Sequence, residues 1–211
     1  MTKLHVFDMD GTLLRGSACL DISRHVGALD AVNKIEERWG RGQVGHVEFY
    51  ELCIPLWSGL SEADIDDVFL ATDWLDGIDE VWKDIAARGE HSAVISLSPQ
   101  FFVDRLVARG VHTVHGAGVR ADQQIDAAAV LTPAHKPRIV ADLLTQYGLT
   151  VDDCVAYGDS ASDLPLFEQL ANTVAVNGSP AIVSVARAHY EGGDLREAYA
   201  LGRAMIDERA S

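Results

Sequence analysis

The stretch VFDMDGTLL, Val6 to Leu14, decides how this chain is read. The apolar run Leu4 to Phe7 is too short for a helix and stops at Asp8, the pattern of a buried strand. Two aspartates one residue apart, Asp8 and Asp10, close it, and Gly11 and Thr12 follow at once. A carboxylate at the end of an apolar run carries a desolvation cost. Asp-Gly is a common turn dipeptide, so a turn is one reading of the pair and chemistry is the other.

Composition narrows the choice. The 211 residues suit one domain with an elaboration, or two small ones, and 48% hydrophobic residues support a core of useful size. Thirty-two acids against 17 bases give a net charge of −15, and no basic run appears. That excludes the usual face of a nucleic-acid-binding or anionic-membrane protein. An anionic substrate then needs a site made locally positive by metal, lysine or helix N-termini. Cys19, Cys53 and Cys154 are odd in number and widely spaced, which argues against a disulfide framework or a zinc site and suits a reducing cytoplasm. No signal-peptide pattern opens the sequence and no long apolar span occurs, so a cytoplasmic protein, monomer or homodimer, is expected.

Along the chain, residues 15–72 have helical apolar spacing in Cys19–Trp39, His46–Trp57 and, after a Ser61 N-cap, in the segment to Ala71. From Gly77 onward, helices stopped by glycine alternate with short apolar runs. The helices are Ile78–Gly89, Pro99–Gly110, Lys136–Gly148, Asp163–Ala171 and Leu195–Arg209; the strands are Ser92–Ser96, Val111–Gly116, Asp153–Asp159 and Thr173–Val176. This predicts a doubly wound parallel α/β sheet over residues 1–14 and 73–211, with a helical cap, residues 15–72, inserted after the first strand.

Ligands of such sheets bind at the carboxyl ends of the strands, so the polar residues there are compared. They are Asp8 and Asp10, Ser96, the cluster Gly158, Asp159, Ser160 and Asp163, and Lys136 at a helix start. Ser98 before Pro99 reads instead as an N-cap. DMDGT (8–12), the serine at position 96 in VISLS, Lys136 and GDSASD (158–163) resemble the four motifs of the haloacid dehalogenase superfamily, in the family's order. The helical insert and the form of the last motif resemble the branch that contains phosphoserine phosphatase. The resemblance implies a Mg2+-dependent phosphomonoesterase that works through an aspartyl phosphate on a small phosphorylated metabolite. By the same resemblance Asp8 is the nucleophile and Asp10 the general acid and base. Mg2+ is held by the Asp8 carboxylate, the Asp10 main-chain carbonyl and Asp159. Asp163 positions Lys136, which offsets charge repulsion, while Ser96 and the N–H groups of Gly11 and Leu97 meet phosphoryl oxygens. A phosphotransferase or mutase, or a non-catalytic binding protein on the same fold, are the readings from other classes.

Two patterns are set aside. GRGQVG (40–45) matches a dinucleotide fingerprint but follows a predicted helix, so it reads as a loop. His112 and His115 would face opposite sides of a strand and lack companion ligands, so they read as structural.

The insert bears on the substrate. Phosphoserine phosphatases place an amine-binding glutamate seven residues after the second aspartate, where this chain has Ser17; Asp21 is the nearest acid, and the carboxylate-binding arginine is missing. No Lys or Arg lies between Gly42 and Trp82, leaving His46 the only cation of that stretch, though Arg15, Arg24, Lys34, Arg38 and Arg41 stand elsewhere in the insert. Trp39, Phe49, Tyr50, Trp57, Glu48 and Glu51 remain. The aromatics form the cap's own core, or some of them join a glutamate, Glu51 among them, around an uncharged or cationic leaving group. Phosphoserine is thus the alternative, and another small-metabolite phosphate the expected substrate.

Overall fold

The computed structural model describes residues 2–120 and 123–207. Its centre is a parallel sheet of six strands in the order β3-β2-β1-β4-β5-β6. The strands are β1 (Leu4–Phe7), β2 (His91–Pro99), β3 (Thr113–Ala117), β4 (Cys154–Gly158), β5 (Thr173–Val176) and β6 (Ala188–Tyr190). The order reverses between β1 and β4, whose registers align Phe7 with Tyr157. The Asp8 N–H continues the ladder onto the Tyr157 carbonyl at 2.9 Å. The residues that follow these two strands therefore emerge side by side at the switch point, where open α/β sheets hold ligands.

Side chains of β1 alternate between two cores, as the two-residue strand period requires. Leu4 and Val6 pack with Val140, Leu143, Phe167 and Ile182 under α8 (His135–Tyr147), α9 (Leu164–Phe167) and α10 (Pro180–Val183). Phe7 packs on the opposite face with residues of α5 (Ile78–Ala87) and α11 (Leu195–Asp207). Its ring stacks on Tyr157 at 4.3 Å and meets the edge of Trp82 at 4.9 Å. Such pairs contribute about 0.5–1.5 kcal/mol beyond area burial.

Between β1 and α5 stand α1 (Ala18–His25), α2 (Leu29–Gly40), α3 (His46–Cys53) and α4 (Glu62–Ala71). The two links to this insert run side by side: Leu14 bridges Trp74, and the Arg15 N–H donates to Asp73 at 2.8 Å. Ser61 caps α4 in a reciprocal box with Asp64. Trp57 is fully buried and donates through Nε1 to Ser23 at 2.8 Å, so it belongs to the insert's own core. Residues 41–45 of GRGQVG form the turn between α2 and α3. All three cysteines are free and buried. No helix of the described residues is long and apolar enough to cross a membrane.

Several expectations are corrected. The Cys19–Trp39 segment breaks at Gly27 into α1 and α2, and the Pro99–Gly110 helix divides at Asp104 into α6 (Gln100–Val103) and α7 (Arg105–Ala108). α10 and β6 were not anticipated, because each is too short to show a period. Ser98 lies inside β2 and caps nothing; Pro99 itself stands before α6. Arg209 at the end of the tail helix lies outside the described residues.

Beneath β1, the wholly buried His5 contacts Glu90 through Nε2 at 3.0 Å and the Tyr157 hydroxyl through Nδ1 at 3.3 Å. Arg203 grips the same Glu90 with bonds of 2.8 and 2.6 Å. Burial, against the pull of Glu90, holds the His5 pKa below its ordinary 6.5. The unfolded chain thus takes up a proton near pH 6.5 that the folded one refuses. The stability this group contributes is fully present above that pH and is lost as pH falls through the window below it. Urea midpoints should therefore fall more steeply from pH 7.5 to 5.5 in the wild type than in His5→Gln; equal slopes would remove His5 from this role.

Candidate active site

Asp8, Asp10 and Gly11 leave the end of β1, and Asp159, Ser160 and Ser162 leave β4. Together with Ser98 of β2 they line one end of a cavity of about 400 Å³. The insert supplies the other end: Ser17, Cys19 from α1, Glu36 and Trp39 from α2, and His46, Phe49 and Tyr50 from α3. Tyr50 also ties the two parts together, its hydroxyl donating to the Leu97 carbonyl at 2.5 Å.

Asp8 is nearly buried. Its Oδ1 accepts the Met9 N–H at 2.7 Å and its Oδ2 lies 3.0 Å from the Lys136 ammonium. Lys136 enters from the first turn of α8, is 1% exposed, and reaches Asp163 Oδ1 at 2.6 Å. The other oxygen of Asp163 accepts the N–H groups of Asp159 and Ser160 at 3.1 and 3.3 Å. Asp163 fits so closely under β4 because residue 158 is glycine, where a Cβ would stand 2.4 Å from its carboxyl carbon.

Asp10 is held on three sides. Oδ1 accepts the N–H of Ala18, the first residue of α1, at 2.7 Å; Oδ2 accepts the hydroxyls of Ser98 at 2.7 Å and Ser96 at 3.0 Å. Burial pushes its pKa up despite these donors. Burial, then Asp163, pushes Asp8 well above the carboxylate range and Asp159 up to about 7, with Lys136 opposing both. For Lys136, burial works against the ammonium, but Asp8 and Asp163 outweigh it and its pKa is raised.

Carboxylate oxygens of Asp8, Asp159 and Asp163 lie within 4.8 Å of one another. Both oxygens of Asp163 already hold protein donors, whereas Asp159 Oδ1 is buried with no hydrogen-bond partner. Hard carboxylate oxygens that repel one another fit a divalent cation such as Mg2+, with Asp159 Oδ1 as the unpartnered donor and the Asp8 carboxylate beside it.

Asp8, Asp10, Gly11, Ser17, Leu97 and Asp159 line the cavity, and Lys136 and Asp163 stand directly behind Asp8. Ser96 is fully buried behind Asp10, and its neighbour Ser98 reaches the cavity instead. Glu51 is corrected: α3 turns Phe49, Tyr50 and Cys53 inward, which leaves Glu51 exposed on the far side. Glu48 is likewise exposed, beside Arg38. The cavity's glutamate is Glu36, which sequence reasoning missed. Its signal was position, one residue after the buried Ile35 and three before Trp39, so it borders the inward face of α2. His112 bonds Ser92 on the neighbouring strand, away from the cavity.

Residues 5–168 match the haloacid dehalogenase-like hydrolase family, and the chain belongs to that family. It is 27% identical over 190 residues to a phosphoserine phosphatase of Archaeoglobus fulgidus, covering 87% of this chain and 55% of that one. The phosphoserine phosphatase SerB2 of Mycobacterium tuberculosis is 26% identical, with 88% and 47% covered. The chain thus spans about half the length of these two relatives, but 95% of the phosphoserine phosphatase of Methanocaldococcus jannaschii, at 24% identity and 92% of this chain. Among solved structures, a phospho-aspartyl intermediate analogue of phosphoserine phosphatase shares the fold with a TM-score of 0.78, at 24% identity and 94% and 98% coverage.

Gly11 adopts a φ of +76°, and a Cβ there would stand 2.3 Å from Asp159 Oδ2. Gly11→Ala adds backbone strain of about 1 kcal/mol and drives the Asp159 carboxylate aside. Calorimetric titration should show Mg2+ binding at least about tenfold weaker in a folded variant. Unchanged binding would separate Asp159 from the metal.

Proposed function

We propose that the chain hydrolyses the phosphomonoester of a small metabolite through an aspartyl phosphate on Asp8, with Mg2+ as cofactor. The observation that carries this is the Asp8 carboxylate held 3.0 Å from a buried ammonium at the floor of a cavity, next to a second aspartate with raised proton affinity. In the first step an Asp8 oxygen bonds to phosphorus as the ester P–O bond breaks, and protonated Asp10 gives its proton to the departing alkoxide. In the second, Asp10 takes a proton from a water whose oxygen bonds to phosphorus. The acyl phosphate bond breaks, and Asp8 and inorganic phosphate are released. Lys136, fixed by Asp163, offsets the repulsion between Asp8 and an incoming dianion. Asp8, Asp159 and the Asp10 main-chain carbonyl would hold the Mg2+, which would supply further positive charge at the phosphoryl oxygens. Residues 15–72 act as the cap that shields the site from water and chooses the leaving group.

The leaving group in this reading is not the amino acid of phosphoserine. Among the described residues, no Lys or Arg lines the cavity. Arg24, Arg38 and Arg41 pair with Asp21, Glu48 and Glu37, Arg15 bonds the Gly193 carbonyl, and Lys34 is exposed. Asp21 is spent on Arg24 and Thr72. A carboxylate would thus enter without its bidentate partner. Phosphoserine remains the second reading, favoured by the names of the relatives.

Phosphate release with and without Mg2+, over aryl, sugar, cyclitol and amino acid phosphates, tests both readings. Turnover of the aryl phosphate should require Mg2+, and Asp8→Asn should stay folded and lose it by on the order of 10⁴-fold. Turnover that survives Asp8→Asn would sink the mechanism; selective phosphoserine turnover would favour the second reading.

A further inference from the structure

The end of the cavity away from Asp8 holds an unusual combination. Glu36 is half-buried and faces the cavity, and among the described residues no side chain forms a hydrogen bond or ion pair with it. Burial and the nearby Asp10 both disfavour its charge. Among the described residues the same end has no Lys or Arg, and burial and the nearby His135 lower the pKa of the one basic side chain there, His46. A lone carboxylate in such surroundings is costly unless a cation meets it.

The walls beside it are aromatic. Trp39 stands one helical turn from Glu36 on α2. Its ring lies 5.9 Å from Phe49, tilted by 55°, and Phe49 meets Tyr50 edge-on at 5.4 Å. Aromatic faces around one carboxylate attract an alkylammonium, through the ring quadrupoles and the full charge together. They suit a polyol poorly. The hydroxyl of Tyr50 is spent on the Leu97 carbonyl and that of Ser98 on Asp10, which leaves few groups to bond a ring of hydroxyls.

We propose that Glu36, against Trp39, Phe49 and Tyr50, receives the ammonium of an amino-alcohol phosphomonoester that bears no carboxylate. This rests on the phosphomonoesterase reading above and names the substrate class for the same site. A phosphoryl dianion at Asp8 and a cation at Glu36 place opposite charges at opposite ends of one small ligand. Phosphoserine offers the same ammonium, but its carboxylate would enter a cavity lined by Asp8, Asp10, Asp159 and Glu36.

The test compares kcat/KM for phosphocholine, phosphoethanolamine, phosphoserine and 3,3-dimethylbutyl phosphate, the neutral isostere of phosphocholine, with an aryl phosphate as reference. At least one of the two carboxylate-free ammonium substrates should exceed both the neutral isostere and phosphoserine by about tenfold or more. Which of the two leads decides between a primary and a quaternary ammonium. Glu36→Gln should cut the ratio of ammonium to neutral substrate at least about tenfold, and Trp39→Leu should cut it in the same direction. Because the readout is a ratio within one variant, partial misfolding does not imitate it. Calorimetry of choline and ethanolamine against 3,3-dimethylbutanol, on wild type and Glu36→Gln, reads the same preference without turnover. Aryl phosphate turnover with no ammonium preference, a ratio unmoved by Glu36→Gln, or phosphoserine as the best substrate would each overturn this inference and leave the phosphomonoesterase reading standing. No Mg2+-dependent turnover of any phosphate, the aryl reference included, would overturn both.

Discussion

The ammonium of Lys136, closed between Asp8 at 3.0 Å and Asp163 at 2.6 Å, is the contact on which the rest of the site depends. It joins the end of β1, the first turn of α8 and the segment after β4, three pieces that the sheet alone only brings near one another. At 1% exposure the lysine has no solvent to fall back on, and removing it would leave the buried Asp8 and Asp163 carboxylates facing each other uncompensated, a loss of about 3–5 kcal/mol. An apolar trio could fill the same space with no less stability. The arrangement is therefore better understood as a cost that the sheet bears to hold the Asp8 carboxylate still.

The charges around that lysine do not cancel. Asp8, Asp159 and Asp163 set three carboxylates against one ammonium, and burial with mutual repulsion raises the proton affinity of Asp8 and Asp159. A divalent cation at Asp8 and Asp159 would restore balance and let both ionise. Asp10 stands apart from this balance, because its donors come from elsewhere: Ala18 at the start of the insert, and Ser96 and Ser98 of β2. Asp10 is thereby fixed to the joint between sheet and insert, while Asp8 is fixed to the sheet and the first turn of α8.

How much of this could be read from the sequence follows from where each piece of information lies. Strands ended by Asp8 and Asp159, helices ended by glycine, and the Ser61 cap are local patterns, and the structure has them. Lys136 was legible only through the motif order, since a single lysine at a helix start says nothing of a partner at position 163. Ser98 was misread because Ser-Pro is a common helix start. The better guide was alternation along β2, which puts residues 96 and 98 on one side of the strand, and both hydroxyls reach Asp10. Glu51 and Glu36 show the limit of composition. Both are glutamates within a turn of an aromatic residue, but the inward face of α3 excludes the first, and the packing of α2 brings the second to the cavity edge. Strand β6 depends wholly on pairing with β5, which no property of its three residues announces.

The two ends of the cavity are built in different ways, and this bears on what similarity can say about substrate. At the phosphoryl end the positions are set by strand termini, by the close approaches at Gly11 and Gly158, and by a lysine locked on both sides. Few substitutions are compatible with that geometry, so chains that share this chemistry should agree there whatever they act on. At the other end the walls are side chains on α2 and α3, joined to the sheet by two antiparallel links and the Tyr50 contact. Exchange of a glutamate or an arginine there alters the charge presented to the leaving group without touching a strand. Identities of 24–27% to phosphoserine phosphatases therefore weigh heavily for the fold and the phosphoryl site, and lightly for the amino acid. The leaving group has to be argued from Glu36, the aromatic rings beside it and the lack of a basic partner in the cavity, and those point to a cation without a carboxylate.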